Sequence, residues 1–166
     1  MKHLYYIILL SASLLCGCNR NYLVYEDAMG AQAYFLEAIQ SDVYEVSAEM
    51  LDASGRVWLH LYNSGYDKKP NHIRIVADAQ ALAIRNREKG TDVKMTPEKY
   101  WALDESEVTL DSRDNVNHIL GLILNINAFK TDGIFPGDFL LPLTLTGETD
   151  RNTRYDKRTL FVKIVY

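Results

Sequence analysis

The stretch Arg56-Val57-Trp58-Leu59-His60-Leu61-Tyr62 alternates aliphatic residues with aromatic or basic ones. That two-residue period is the mark of a half-buried β-strand, because successive side chains point to opposite faces. It sends Val57, Leu59 and Leu61 into a core. It lines up Trp58, His60 and Tyr62 on the other face, with Tyr66 close enough to extend the row. Similar runs recur along the chain. Ala33–Ala38 (AYFLEA), His72–Ala77 (HIRIVA), Glu107–Leu110 (EVTL), His118–Asn125 (HILGLILN), Phe139–Thr146 (FLLPLTLT) and Thr159–Val165 (TLFVKIV) read as strands. Val43–Met50 (VYEVSAEM) fits a strand or a helix.

Asp78–Lys89 (DAQALAIRNREK) breaks the pattern with a helical composition. Asp78 suits an N-cap and Gly90 sits where a helix stops. Thr96-Pro97-Glu98 predicts a second helical turn, with Thr96 as cap and Pro97 in the first position. Many short strands with one or two short helices predict a mainly β, β-sandwich domain. Pro142 cannot donate to a sheet ladder, which predicts that FLLPLTLT is an edge strand or a bulged one.

The first residues, MKHLYYIILLSASLLCGCNR, have a basic Lys2 and then an apolar run from Leu4 to Leu15. About a dozen apolar residues make a signal-peptide core, short of the roughly 20 that span a bilayer as a helix. Leu15-Cys16-Gly17-Cys18 resembles a bacterial lipobox, with small Gly17 ahead of Cys18. The expected organisation is a signal peptide over 1–17, a tether over 18–30 lipidated at Cys18, and a β-sandwich domain over 31–166. Lipidated Cys18 would then hold the domain on a cell-envelope membrane.

The net charge of −4 is mildly acidic, and the signal segment carries only Lys2 among charged residues. Nucleic-acid partners want a basic stripe, so that class is excluded. The chain's two cysteines, Cys16 and Cys18, both lie in the signal region. The body therefore has no thiol for a disulfide, a zinc site or a nucleophile. Such a domain must hold together by packing.

An ordered series of segments resembles a known family. Ala79–Thr91 (AQALAIRNREKGT) is followed by Met95-Thr96-Pro97-Glu98-Lys99-Tyr100 with Leu103. Then come Val108-Thr109-Leu110 and finally Phe139-Leu140-Leu141-Pro142-Leu143. Together they resemble the domain of unknown function numbered 1735, common in exported Bacteroidetes lipoproteins. The resemblance implies an immunoglobulin-like β-sandwich, an outer-membrane setting beside polysaccharide-uptake systems, and a structural role for Tyr100. It implies a setting more firmly than a mechanism, since fold alone assigns no activity.

Trp58, His60, Tyr62 and Trp101 are the candidate ligand-binding residues. An exposed aromatic row is a platform for the C–H face of a sugar ring. The competing expectation is that the helix at 79–89, or the segment 96–103, covers that row. No catalytic residue, metal site or cofactor is expected. Asp104, Glu105 and Glu107 read as a solvated loop rather than a glycosidase pair. His60, His72 and His118 lack metal-ligand spacing. Asp132, Asp138, Asp150 and Asp156 mark loops where calcium is conceivable but unsupported. The expected function is a non-catalytic accessory or glycan-binding lipoprotein. The alternative is an assembly protein docking on an envelope partner through a sheet edge, at the strand around Pro142 or the one ending at Tyr166.

Overall fold

In a computed structural model the described residues are 32–64, 70–110, 117–147 and 157–166. Cys18, the signal and tether segments, Tyr66, Asp150 and Asp156 lie outside them. The strands are β1 (Gln32–Phe35), β2 (Val43–Val46), β3 (Arg56–Ser64), β4 (Asn71–Ala77), β5 (Lys94–Met95), β6 (Trp101–Leu103), β7 (Glu107–Leu110), β8 (Asn117–Leu124), β9 (Phe139–Gly147) and β10 (Thr159–Ile164). The α-helices are α1 (Glu37–Gln40), α2 (Ala79–Lys89) and α3 (Ile126–Thr131). One four-stranded sheet runs β1-β3-β8-β6, and a six-stranded sheet runs β2-β10-β9-β4-β7 with β5 beside β9. Pairing is antiparallel except for β10 with β2 and β5 with β9.

The mainly β sandwich expected from the strand pattern is the observed architecture. Its core is aliphatic. Leu59, Leu61, Leu120 and Leu122 of one sheet share a buried cluster with Leu141, Leu143, Leu145 and Val162 of the other. Burying each such side chain stabilises the fold by about 1.5–3 kcal/mol, which is how a thiol-free body holds together.

Helix α2 forms as its caps predict. The Asp78 carboxylate accepts the Gln80 and Ala81 backbone N–H groups at 3.0 Å each. Gly90 ends the helix at φ 64°, a left-handed conformation that favours glycine. The helix packs against β9, with Arg85 stacked over the Phe161 ring of β10. Phe161 pairs with Pro142, which alternates with core-facing Leu141 and Leu143. So α2 covers the outer face of the six-stranded sheet. Strand β9 is buried on both faces from Leu140 to Leu145, and Leu82 of α2 is buried with it.

Several expectations are corrected. Strand β9 lies inside its sheet, flanked by β10 and β4, and is not an edge. Pro142 is tolerated because β4 ends opposite Leu143, and the Pro142 carbonyl accepts the Asp78 N–H at 2.9 Å. A strand residue's N and C=O point to the same side, so the missing donor faces this strand-to-helix junction and removes no ladder bond. Strand β10 is also internal, so neither proposed docking edge is free; β1, β6, β2 and β7 are the outer strands. Ala33–Ala38 is not one strand, because β1 stops at Phe35 and α1 begins at Glu37. Val43–Met50 splits into β2 and a 3-10 turn over Ala48–Met50. A 3-10 turn covers Glu98–Tyr100, with Pro97 ahead of it and no side-chain cap from Thr96.

Candidate functional site

Strand β3 pairs Trp58 with Gly121, His60 with Ile119, and Tyr62 with both Tyr34 and Asn117. Val57, Leu59 and Leu61 are buried inward. Trp58, His60, Tyr62, Tyr34 and Ile119 therefore share the outward face of the four-stranded sheet. Trp58 is 43% exposed and Ile119 54%, His60 and Tyr62 are half-buried, and Tyr34 is buried at 9%. Neither α2 nor the 96–103 segment covers this row. The helix lies on the other sheet, and residues 101–103 form β6 in the plane beside β8.

Specific contacts hold several of the row's side chains. The His60 Nδ1 is 2.8 Å from Oε1 of Glu37, and the same carboxylate accepts the His60 backbone N–H at 3.1 Å. Glu37 is buried, so these bonds replace the water its carboxylate has lost. The Tyr62 ring packs on Tyr34 with centroids 5.3 Å apart. The Arg56 guanidinium lies over the Trp58 ring at 5.0 Å, a cation–π contact.

Across from Trp58, Gly121 has no side chain and the space above it is used. A Cβ there would lie 2.2 Å from Asp104 Oδ2 and 2.6 Å from Arg56 Cδ. Asp104 is fixed to this glycine twice. Its Oδ1 accepts the Gly121 N–H at 2.8 Å, and its own N–H donates to the Gly121 carbonyl at 3.0 Å. Its Oδ2 stands 3.9 Å from Arg56 Nε.

Trp101 is not part of this face. It pairs with buried Leu124, packs half-buried against the core, and donates its Nε1–H to the Thr96 carbonyl at 3.3 Å. Next to it, Tyr100 is buried and donates its hydroxyl to Asp132. Lys99 reaches the same carboxylate at 2.6 Å. Hydrogen bonds from Lys99 and then Tyr100 hold the Asp132 carboxyl below the usual range, and the Asp132 contact raises the Lys99 ammonium. Asp132 is thus a structural clamp rather than a free calcium ligand.

The remaining carboxylates do not converge. Glu105 pairs with His118 at 3.1 Å and Glu107 with Arg74 at 2.9 Å, while Asp104 turns to Gly121. His72 contacts Thr109 at 2.9 Å. Among the described residues, no three His, Cys, Asp or Glu side chains are grouped to hold a metal. Glu37, Arg56, Asp104 and Gly121 escaped the sequence reading. A glycine inside an otherwise aliphatic strand, HILGLILN, was the available signal of a close approach.

The two packed sheets define a β-sandwich module. A family model described as a "-like, N-terminal domain" matches residues 25–152, and the chain belongs to that family of N-terminal domains. No curated protein matches the chain. Among solved structures, it is similar to a candidate carbohydrate binding protein from Bacteroides ovatus (14% identity, TM-score 0.56), covering 80% of this chain and 36% of that one. It is also similar to a multidomain protein including DUF1735 from Bacteroides ovatus (17% identity, TM-score 0.51), covering 74% and 39%. A third is Bacteroides thetaiotamicron EndoBT-3987 with Man5GlcNAc product (12% identity, TM-score 0.54), covering 80% and 30%. The chain spans well under half the length of these neighbours, and at such identities the likeness concerns the fold. No helix among the described residues is long and apolar enough to cross a membrane.

Proposed function

We propose that this chain is a non-catalytic, glycan-binding or accessory lipoprotein of a polysaccharide-handling system, in the 1735 group of its family. Cys18 carries the lipid, and residues 18–30 tether the domain to the outer membrane. The observation that carries the binding reading is Trp58, 43% exposed on a sheet face that no helix covers among the described residues. A flat indole suits the C–H face of a sugar ring, and aromatic side chains usually bury their area when nothing else claims it. The carbohydrate setting of two fold neighbours points the same way. The separate engagement of Asp104, Glu105 and Glu107 supports binding over hydrolysis, which needs two carboxylates facing one bond.

Calorimetric titration against a panel of polysaccharides and oligosaccharides tests the reading. Binding that is lost in Trp58→Ala, with the fold intact, is the expected result. Silence across the panel, or binding indifferent to Trp58→Ala, overturns it. Lipidation is checked separately by metabolic labelling with a fatty-acid analogue, which Cys18→Ala abolishes.

A further inference from the structure

We infer that the Arg56–Asp104 pair is the polar half of the Trp58 site, and that it selects neutral sugars presenting two adjacent hydroxyls over acidic sugars. The inference rests on the glycan-binding reading and names its ligand class.

The pair is placed but unsaturated. Arg56 Nε is enclosed and meets no acceptor within hydrogen-bond distance among the described residues, so a ligand reaches the guanidinium only through its terminal nitrogens. Asp104 spends Oδ1 on the Gly121 N–H, which leaves Oδ2 at 3.9 Å from Arg56, too far for a direct hydrogen bond. Both side chains keep a surface to solvent, 30% for Arg56 and 26% for Asp104. A guanidinium only donates and a carboxylate only accepts. A hydroxyl does both, so two neighbouring hydroxyls take a hydrogen bond from Arg56 and give one to Asp104 at once. These are charge-assisted bonds, the stronger kind.

Both groups are held before any ligand arrives. Arg56 is stacked on Trp58, and Asp104 is anchored to Gly121 through its side chain and its backbone. Such preorganisation lowers the ordering cost of binding. With the guanidinium over one face of the indole, the site sets the remaining exposed surface of Trp58 next to one donor and one acceptor, the pattern a sugar ring offers along one edge. A sugar carboxylate fits it poorly. It gains Arg56 but approaches the Asp104 carboxylate.

The full chain is titrated by calorimetry with neutral oligosaccharides of glucose, mannose and galactose, and with oligogalacturonate as the acidic counterpart. Neutral oligosaccharides are expected to bind at least about tenfold more tightly than oligogalacturonate. Asp104→Asn and Arg56→Gln are each expected to weaken neutral binding about tenfold or more, the range for losing a hydrogen bond to a charged group. The Asp104→Asn variant keeps a side-chain oxygen to accept the Gly121 N–H, and thermal melts verify the fold of each variant. The comparison of neutral and acidic probes on the unaltered chain stands whatever the variants do. If neutral sugars bind through Trp58 but both variants stay within twofold, or oligogalacturonate binds as tightly, this inference falls and the broader reading survives. If no glycan binds, the broader reading falls and takes this one with it.

Discussion

The two outer faces of the sandwich are built differently. Over the six-stranded sheet, α2 buries Leu82 and leaves β9 enclosed on both sides. Over the four-stranded sheet no helix lies among the described residues, and Trp58 and Ile119 stay about half exposed. The covered face has a helix laid on a sheet, with Leu82 as the helix's buried residue. The other face presents an aromatic and aliphatic row in which His60 is held by Glu37, with Asp104 anchored to Gly121 beside it. The difference sets a helix-covered face against one on which Trp58 and Ile119 stay about half exposed.

Perturbing the covered face tests the division most strongly. Leu82→Ala should lower the unfolding free energy by about 2–4 kcal/mol, as for other buried leucines, and leave glycan binding unchanged when measured below the melting temperature. Denaturant unfolding checks this, and a loss under about 1 kcal/mol would mean α2 is only loosely seated. Removing its cap should come next. Asp78→Ala frees two N–H groups and is expected to cost about 1.5 kcal/mol, read as a shifted denaturation midpoint. On the open face, Trp58→Ala should cost about 1 kcal/mol or less while abolishing binding. A large stability loss there would erase the contrast between the faces.

The smallest effect concerns the Lys99–Asp132–Tyr100 clamp, which holds the segment ahead of β6 at the sheet's edge and away from the Trp58 face. The Asp132 carboxyl is held low in the fold. Its contribution is therefore present above the ordinary carboxylate range and lost as pH falls through the folded value. Lys99 is raised, so its share is present below the ordinary lysine range and lost as pH rises beyond it. Melting temperatures recorded below about pH 4 should fall more steeply in the unaltered protein than in Asp132→Asn. Identical acid limbs would remove the clamp from the account.

What the sequence showed depended on the reach of each signal. RVWLHLY assigned Trp58, His60 and Tyr62 to one face because period two is local. Asp78 and Gly90 marked α2 for the same reason. Pro142 misled because its cost depends on where a neighbouring strand ends. That strand, β4, stops at Ala77 while β9 begins at Phe139, a separation no local window spans. Glu37 read as one more strand position, since its burial is explained only by His60 across the sheet edge. Arg56 and Asp104 meet only through Gly121, so Asp104 looked like solvated loop. Trp101 looked free because its inward register is set by pairing with Leu124.

Strand β10 sits between β2 and β9, joining residues 161–164 to residues 43–46. A chain emerging from its N-terminus therefore cannot close the larger sheet until β10 is available. Contacts this distant in sequence slow folding, because the long loop between them must be ordered first. The topology is thus also a clock: it withholds the finished sandwich until Ile164 has been made.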